Sequence, residues 1–363
     1  MPRIATSIVL RAHKQDPLLP FLLRECRSLE LAKNELRWLR ERAMHMTGFR
    51  LKDGTKGSKH AAVGWRRLLK SMCLDRSRGM PLQYILGDQP FGVLDIKCTR
   101  GVLIPRQETE TITFQAAKLI LERIPCGTNG RETPLRIMDL CTGTGCIPLL
   151  LHALLSPHFP RLSIVGVDIS AAAIKLAREN KARNMRLGTL SNRALKDVQF
   201  RQRDVLKYGP DSLPIPGDMF SRTPTMPDIS EPRIDVLISN PPYVSPEEYY
   251  DGTTSRSVRI FEPKSALVPP ENIHSSISES EHVRHEDLFY YHFGALIVAF
   301  QVKMAVFECG SRLQAIRVAT ICRNTFSKLE LKDSRLIQMQ VSIWSVTGVD
   351  TDPCAVIVYS SGR

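Results

Sequence analysis

The stretch Leu135-Arg-Ile-Met-Asp-Leu-Cys-Thr-Gly-Thr-Gly-Cys146 decides the fold prediction, because an apolar run ends there in a glycine-rich loop. Residues 135–140 predict a buried strand, and a helix is predicted from Ile147. Gly143 and Gly145 occupy the turn, where glycines let the backbone approach a nucleotide-like ligand. On its own this short G-x-G pattern also fits an ordinary tight turn.

Strands and helices alternate on both sides of this loop. Alternation of this kind predicts an α/β domain around a mostly parallel sheet, with its ligand site at the carboxyl ends of the strands. The predicted strands are 135–140, 162–167, 198–203, 234–238, 304–308, 338–346 and 354–359. The predicted helices are 109–123, one from 147, 171–184, 290–300 and 311–326.

Residues 1–80 predict a separate, small helical domain. Apolar residues recur at steps of three and four from Leu22 to Ala43, which indicates one amphipathic helix, and Ser58 is predicted to cap another. Residues 81–106 predict a β-hairpin that links this domain to a larger one at 107–363. Residues 208–232 and 269–286 break the alternation and are predicted to be surface insertions.

Positive charge is concentrated in the helical domain. The whole chain of 363 residues has a net charge of +13, and residues 1–80 hold 18 Lys or Arg against 7 Asp or Glu, a balance of +11. Such asymmetry indicates a nucleic-acid or ribonucleoprotein-associated partner, a mitochondrial presequence or a solvated helical surface. Residues 1–20 are poor in acids, so we treat them as a candidate targeting segment.

Cysteine spacing and hydropathy argue against a zinc-binding protein, a disulfide-rich protein and a membrane protein. The nine cysteines include no C-x-x-C pair, which argues against a zinc site and a disulfide framework and favours a reducing compartment. We therefore predict no metal site. No apolar run approaches the roughly 20 residues of a membrane-spanning helix, so we expect no membrane association.

Acidic residues at the ends of the next two strands favour a nucleoside cofactor. Asp168 stands 23 residues beyond Gly145 and is predicted to accept both hydroxyls of a ribose, with a helix cap as the alternative. The third glycine of the dinucleotide fingerprint is missing, and Pro148 follows the loop instead, so S-adenosylmethionine fits better than NAD. Asp204 and Val205 are predicted to meet the adenine, although Asp204 also fits an ordinary loop.

The fourth strand ends in Asn240-Pro241-Pro242-Tyr243. Two prolines fix φ and remove two backbone donors, so this loop presents acceptors: the Asn240 Oδ1 and the Pro241 carbonyl. These acceptors suit the two hydrogens of an amide or aryl-amine nitrogen, and Tyr243 is predicted to pack on the planar group. A simple turn after a strand is the alternative for Pro-Pro.

Several further motifs resemble the HemK/PrmC family of protein-(glutamine-N5) methyltransferases. They are PLQYILG at 81–87, Pro90-Phe91, VLIPRQETE at 102–110, Phe261-Glu262-Pro263, Ala266-Leu267, and Glu308-Cys309-Gly310 with Gln314. The resemblance covers about residues 60–320. It implies a class I S-adenosylmethionine-dependent methyltransferase that modifies the Gly-Gly-Gln glutamine of a class 1 peptide chain release factor.

The resemblance also implies residue roles. The cofactor would be bound by Thr142, Gly143, Thr144, Gly145, Asp168, Val205 and Asn240. Asn240 to Tyr243 would hold the glutamine and form the catalytic site. Arg106 and Glu110 are secondary substrate-binding candidates, with interdomain packing as the alternative. Cys141 departs from the family, which usually has Gly there, and Gln107 replaces a common Pro.

An amino-terminal helical domain is typical of bacterial and organellar members. This favours the mitochondrial matrix and a mitochondrial release factor, with the cytoplasm as the alternative. Asn-Pro-Pro-Tyr is also shared by adenine-N6 methyltransferases of DNA or RNA, but no recognition repeat or aromatic-basic pattern accompanies the basic residues. We therefore expect no direct sequence-specific nucleic-acid binding. A non-catalytic scaffold is disfavoured because the glycines, Asp168 and the tetrapeptide are all intact.

Overall fold

The computed structural model describes residues 3–48, 59–124, 134–207, 234–271, 283–330, 339–346 and 354–360, without the side chains of 59–63 and 328–330. The predicted insertion at 208–232 lies outside the described residues, as do residues 272–282 of the second one. The chain divides into a helical unit, Met1–Asp88 with Ser255–Phe261, and a sheet unit, Gln89–Thr254 with Glu262–Arg363.

The described residues form the following elements in chain order. The helices are α1 (Thr6–Gln15), α2 (Leu19–Cys26), α3 (Leu29–Met46), α4 (Lys59–Ser77), α5 (Leu82–Leu86), α6 (Gln107–Arg123), α7 (Cys146–Leu155), α8 (Ala171–Leu187), α9 (Ala194–Asp197), α10 (Pro246–Tyr250), α11 (Arg256–Phe261), α12 (Leu288–Ala299) and α13 (Arg312–Glu330). The strands are β1 (Asp88–Phe91), β2 (Leu94–Lys97), β3 (Leu135–Leu140), β4 (Leu162–Asp168), β5 (Val198–Gln202), β6 (Val236–Ser239), β7 (Met304–Cys309), β8 (Met339–Ser345) and β9 (Cys354–Ser360).

The helical unit corrects the prediction of one continuous helix over residues 22–43. Arg27 has φ of 60°, in the left-handed region, and ends α2. Ser28 then caps α3, because its Oγ accepts a hydrogen bond from the Leu31 N–H at 3.5 Å. The apolar spacing continues through this break, so periodicity alone could not reveal it.

The predicted hairpin over residues 81–106 is also shorter than expected. The two strands β1 and β2 form a two-stranded sheet, while residues 82–86 are helical. Leu82, Ile85 and Leu86 of α5 pack against the core of the helical unit, and Gly87 ends α5 with φ of 87°. Partial burial of three apolar side chains on one face explains why this stretch is a helix and not a strand.

The sheet unit confirms the predicted α/β architecture with a mostly parallel sheet. Its seven strands lie in the order β5-β4-β3-β6-β7-β9-β8. The first five strands of that order are parallel, and β9 is antiparallel to both β7 and β8. Apolar side chains bury both faces of the sheet, which explains why β3, β4, β6 and β7 are almost continuously apolar.

The register of the parallel strands positions the site. Leu140 of β3 lies level with Val167 of β4 and Ser239 of β6. Ser239 is in turn level with Phe307 of β7. The residues that follow these positions therefore leave the sheet at one edge, as the sequence predicted for its ligand site.

Candidate active site

A cavity of about 790 Å³ opens at this edge of the sheet unit. Six residues that the sequence assigned to the site line it: Gly143, Asp168, Asp204, Val205, Asn240 and Pro242. Cys141 also lines it, as do residues 263–266 and 268–271 and the apolar side chain of Phe289. The ends of four neighbouring strands, β3 to β6, thus meet around one cavity.

Two glycines of the loop after β3 are required for different reasons. Gly143 has φ of 53° and no atom within 4 Å of the position that a Cβ would take, so it leaves open space on the cavity side. Gly145 has φ of 79°, and a Cβ there would come within 2.9 Å of both Ala177 Cβ and Phe200 Cζ. Gly143 is therefore required by its backbone conformation, and Gly145 by close packing as well.

Three other residues assigned to cofactor binding by resemblance do not line the cavity. Thr142 and Thr144 are buried, and the Thr142 N–H donates to the Val167 carbonyl at 2.9 Å. The Gly145 N–H in turn donates to the Thr142 carbonyl at 2.9 Å. Their contacts shape the loop, and a direct contact with a cofactor stays a prediction.

Cys141, the departure from the family, adopts a conformation that favours glycine. Its φ is 61°, a left-handed conformation that costs an L-residue about 1–2 kcal/mol. Burial raises the pKa of its thiol, and the neighbouring carboxylates Asp168 and Asp139 raise it further. The side chain is therefore a neutral thiol in the cavity wall.

Asp168 is held by the loop that it faces. Its Oδ2 accepts from the Gly143 N–H at 2.8 Å, and its Oδ1 accepts from the Ser170 N–H at 2.8 Å. Burial raises the pKa of this carboxyl, while the two N–H bonds lower it. A carboxylate oxygen has two acceptor sites, so each oxygen can still accept one hydroxyl.

The residues around the cavity fit S-adenosylmethionine. The ribose diol requires a pair of acceptors, and Asp168 provides two oxygens at the cavity wall. The flat adenine requires an apolar surface and a polar neighbour, which Val205 and Phe289 supply with Asp204 beside them. Asp204 itself is held by the Leu206 N–H at 3.1 Å.

The side-chain NH2 group of Asn240 is anchored by one hydrogen bond. Its Nδ2 donates to the Thr109 hydroxyl at 3.0 Å. Pro241 and Pro242 are buried, and only Pro242 of the two lines the cavity. The structure therefore brings Asn240 and Pro242 to the cavity, and a contact of the Pro241 carbonyl with a substrate stays a prediction.

Tyr243 does not line the cavity but packs beside it. Its phenol donates to Glu308 Oε1 at 3.5 Å, and a Cβ added at Gly310 would come within 2.9 Å of its ring. Burial and the neighbouring Glu308 carboxylate raise the pKa of the Tyr243 phenol well above its usual range. Tyr243 is thus neutral, and Gly310 provides the space for its ring.

A buried glutamine holds the Asn-Pro-Pro-Tyr loop in place. Gln314 Nε2 donates to the Tyr243 carbonyl at 3.2 Å and to Asp287 Oδ1 at 3.1 Å, and Oε1 accepts from the Gly310 N–H at 2.9 Å. Arg317 forms an ion pair with Asp287. Gln314 therefore connects the loop after β6 to the loop after β7 and to α12.

Arg106 and Glu110 lie outside the cavity lining. Arg106 forms an ion pair with Glu262 at 2.7 Å, and the other oxygen of Glu262 accepts from the Ile104 N–H at 3.1 Å. Both partners belong to the sheet unit, so this pair packs within one unit. Contact of Arg106 or Glu110 with a substrate stays a prediction.

Sequence reasoning named Thr109 and Glu308 only as parts of motifs and assigned neither of them a role beside Asn240. Thr109 and Glu308 have exposed fractions of only 3% and 2%. Burial raises the pKa of Glu308 from 4.5 to about 7, and side-chain hydrogen bonds from Thr109 and Tyr243 lower it. The available signal was a carboxylate in the otherwise apolar strand MAVFEC, since a buried carboxylate requires a reason.

The raised pKa of Glu308 predicts a pH-dependent cost to stability. The folded protein holds this proton more tightly than the unfolded chain, so the free energy of unfolding falls as the pH rises from about 4.5 to about 7. A shift of this size corresponds to roughly 3 kcal/mol. The side chain of Glu308→Gln cannot ionise. We therefore expect the free energy of unfolding of this variant, relative to that of wild type, to be higher at about pH 8 than at about pH 5 by up to about 3 kcal/mol. Urea unfolding of both proteins at the two pH values measures this change, and a variant-to-wild-type difference that is the same at both would contradict the prediction.

Within the described ranges, no three His, Cys, Asp or Glu residues cluster in a way that could hold a metal ion. No helix within those ranges combines the length and hydropathy required to cross a membrane.

Comparison with known proteins shows similarity along most of the chain. A family model described as a methyltransferase domain matches residues 132–214. The chain is 35% identical over 270 residues to the mitochondrial MRF1 N(5)-glutamine methyltransferase MTQ1 of Saccharomyces cerevisiae, covering 74% of this chain and 68% of that protein. It is 33% identical over 337 residues to the probable MRF1 mitochondrial N(5)-glutamine methyltransferase of Schizosaccharomyces pombe, covering 90% of each. A release factor glutamine methyltransferase of Thermodesulfovibrio yellowstonii is 35% identical over 199 residues, 55% of this chain and 56% of that protein.

Proposed function

Because the chain belongs to the family of release factor N(5)-glutamine methyltransferases, we propose that it methylates the Gly-Gly-Gln glutamine of a class 1 peptide chain release factor. The chain is an S-adenosylmethionine-dependent methyltransferase of the class I fold. The observation that carries the proposal is Asn240, which lines the cavity beside Asp168 and has its NH2 group anchored to Thr109.

A glutamine amide is a poor nucleophile because its nitrogen lone pair is delocalised into the carbonyl. Asn240 Oδ1 and the Pro241 carbonyl would accept its two N–H bonds and fix the nitrogen in one orientation. Bound S-adenosylmethionine supplies a methyl group activated by its sulfonium sulfur. Asp168 and the Gly143 backbone would hold that cofactor, so that the lone pair faces the methyl carbon.

The bond changes need no base before methyl transfer. With the methyl group supplied by bound S-adenosylmethionine, which would become S-adenosylhomocysteine, the amide nitrogen would then lose one proton to solvent. Asn240 would hold the amide through this change, because its oxygen accepts an N–H that becomes more positive as the bond forms. Tyr243, neutral and packed against Gly310, would keep the loop rigid.

Incubation with radiolabelled S-adenosylmethionine separates this activity from the alternatives. We expect label in a release factor carrying Gly-Gly-Gln and none in a variant with Gly-Gly-Ala. Label in the adenine bases of DNA or RNA would instead favour the adenine-N6 activity, and no label in either substrate would favour a scaffold.

We further propose that the basic helical unit docks the release factor. Exposed cations lie on α3 and α4: Lys33, Arg37, Arg67 and Lys70. Exposed charge that steers an encounter raises the association rate, and the Debye length of about 8 Å at physiological salt screens this effect. We expect replacement of these four residues by Gln to lower kcat/KM for the release factor about 10-fold at low salt and little at high salt.

A matched control replaces four exposed lysines and arginines of the sheet unit by Gln: Lys118, Lys175, Arg186 and Lys196. This control removes the same charge but none from the helical unit. Equal losses in both quadruple variants would show that only net charge matters, and the docking role would be wrong.

We propose the mitochondrial matrix as the location. Support comes from the acid-poor start of the chain and from two yeast relatives whose names include mitochondrial. Fusion of residues 1–40 to a fluorescent reporter tests the signal, and purely cytosolic fluorescence would contradict it and favour the cytoplasm.

A further inference from the structure

We infer that Asn180 of α8 is a positioning residue for S-adenosylmethionine binding, because it bonds both the glycine loop after β3 and the strand β2. Its side chain is fully buried and does not line the cavity, so it would act on the cofactor only through the loop. The inference concerns the cofactor site alone and goes beyond the proposed function, since it holds for any methyl acceptor.

The first contact of Asn180 fixes one peptide plane of the glycine loop. Asn180 Nδ2 donates to the Thr144 carbonyl at 3.0 Å, and Thr144 stands between Gly143 and Gly145. At the other end of the same peptide unit, the Gly145 N–H donates to the Thr142 carbonyl at 2.9 Å. The peptide between Thr144 and Gly145 is therefore held at both ends.

This peptide requires such restraint because glycine resists rotation weakly. A peptide flip would change ψ of Thr144 and φ of Gly145, and glycine accepts positive and negative φ almost equally. The bond from Asn180 opposes the flip, because a buried carbonyl that loses its partner is costly. The preceding residue, Gly143, donates its N–H to Asp168 at 2.8 Å. The loop conformation that supports Asp168 thus depends on Asn180.

The second contact of Asn180 is with the backbone of β2. The Lys97 N–H donates to Asn180 Oδ1 at 2.7 Å, and Asn180 Nδ2 donates to the Lys97 carbonyl at 3.3 Å. Asn184 repeats this pattern at Asp95, with bonds of 2.9 Å and 3.0 Å. Four helical residues rise about 6 Å and two strand residues about 6.6 Å. The two asparagines can therefore satisfy alternate residues of β2, as a neighbouring strand would.

Only one of these two asparagines contacts the glycine loop. The remaining bonds of Asn184 are to the Asn180 carbonyl at 3.0 Å and from the Thr189 hydroxyl at 2.9 Å. Both asparagines are fully buried. They form a matched pair, because both hold β2 and only Asn180 also holds the loop.

Ion pairs beside the asparagines do not replace them. Lys97 pairs with Glu179, and Asp95 pairs with Arg183, but all four side chains are partly exposed. Exposed ion pairs contribute little to stability. The buried carboxamides therefore provide the main polar attachment of β2 to α8.

The first test compares Asn180→Ala with the control Asn184→Ala in the full chain. Both variants lose the polar attachment of one β2 residue, so we expect similar decreases in the urea midpoint. We expect Asn180→Ala to raise the Kd of S-adenosylmethionine about 5- to 10-fold and Asn184→Ala to raise it less than about 2-fold, the scale of one lost hydrogen bond against none at the loop. Calorimetry measures both values. Equal changes of Kd in the two variants, or an unchanged Kd in folded Asn180→Ala, would overturn the inference.

Hydrogen exchange of the wild-type protein gives a second test that needs no variant. The Lys97 N–H bonds to Asn180, whereas the Asp95 N–H bonds to Asn184. A cofactor that orders the glycine loop should restrain Asn180, so we expect S-adenosylmethionine to slow exchange at Lys97 at least about 3-fold more than at Asp95. Equal slowing at both amides would reflect overall stabilisation by the ligand and would overturn the inference. Neither test uses a release factor, so a failure of the proposed function would be seen separately.

Discussion

Asn240→Ala is expected to slow methyl transfer about 100- to 1000-fold, roughly 3–4 kcal/mol of barrier, which is typical for the loss of one preorganised polar contact. The carboxamide lines the cavity and is anchored behind by Thr109. Its removal frees the substrate amide to rotate, so the loss should lie mainly in kcat and less in KM. Single-turnover transfer to a peptide that carries Gly-Gly-Gln measures it.

Two further variants define how Asn240 acts. Asn240→Asp keeps an acceptor but lacks the NH2 group that bonds Thr109, so it should be strongly impaired although the substrate still binds. Pro242→Ala loosens the loop without deleting an acceptor and should be milder. A folded Asn240→Ala enzyme that binds S-adenosylmethionine and keeps near wild-type turnover would reduce Asn-Pro-Pro-Tyr to a turn after a strand.

Asp168→Asn is expected to weaken S-adenosylmethionine binding about 10- to 100-fold, or 1–3 kcal/mol, the scale of hydrogen bonds to a charged group. In the wild-type protein, the two carboxylate oxygens accept from the N–H groups of Gly143 and Ser170 at 2.8 Å each. In the variant one oxygen becomes an NH2 group, which cannot accept from the N–H that it faces. The variant therefore loses an acceptor for the ribose and one of the two contacts that hold the glycine loop. Calorimetry measures the affinity.

Unfolding experiments separate the loss of the ribose acceptor from the loss of the contact that holds the glycine loop. Ser170→Ala keeps the Asp168 carboxylate and removes the helix cap, in which the Ser170 Oγ accepts from the Ala173 N–H at 3.2 Å. It should cost about 1 kcal/mol of stability and leave binding nearly unchanged. If folded Asp168→Asn bound S-adenosylmethionine as wild type does, the ribose role of Asp168 would be wrong.

The sheet was predictable from local patterns, and its strands lie within about two residues of their predicted positions. Mostly apolar runs such as residues 135–140 indicate strands buried on both faces. The break at Arg27 and the helix at Leu82–Leu86 were not predictable in this way. In the first case the apolar spacing runs through the break, and in the second a tertiary contact decides between helix and strand.

The candidate site was predictable where a residue follows a strand directly. Gly143, Asp168, Asp204 and Asn240 all do so or nearly so, and all line the cavity. The family prediction is confirmed by relatives that are 33–35% identical.

Contacts between distant parts of the chain were not predictable. Thr109 meets Asn240 across 131 positions of sequence, and Gln314 meets Tyr243 across 71. Glu308 was quoted only as part of a motif, because its burial and raised pKa depend on the packing of β7 against its neighbours.

Tandem mass spectrometry of a release factor after incubation with the enzyme and S-adenosylmethionine tests the central claim most directly. We predict one added methyl group on the side-chain nitrogen of the Gly-Gly-Gln glutamine, present with the wild-type enzyme and nearly absent with Asn240→Ala. A methyl group on another residue, or an unmodified glutamine under conditions in which the enzyme binds its cofactor, would contradict the account.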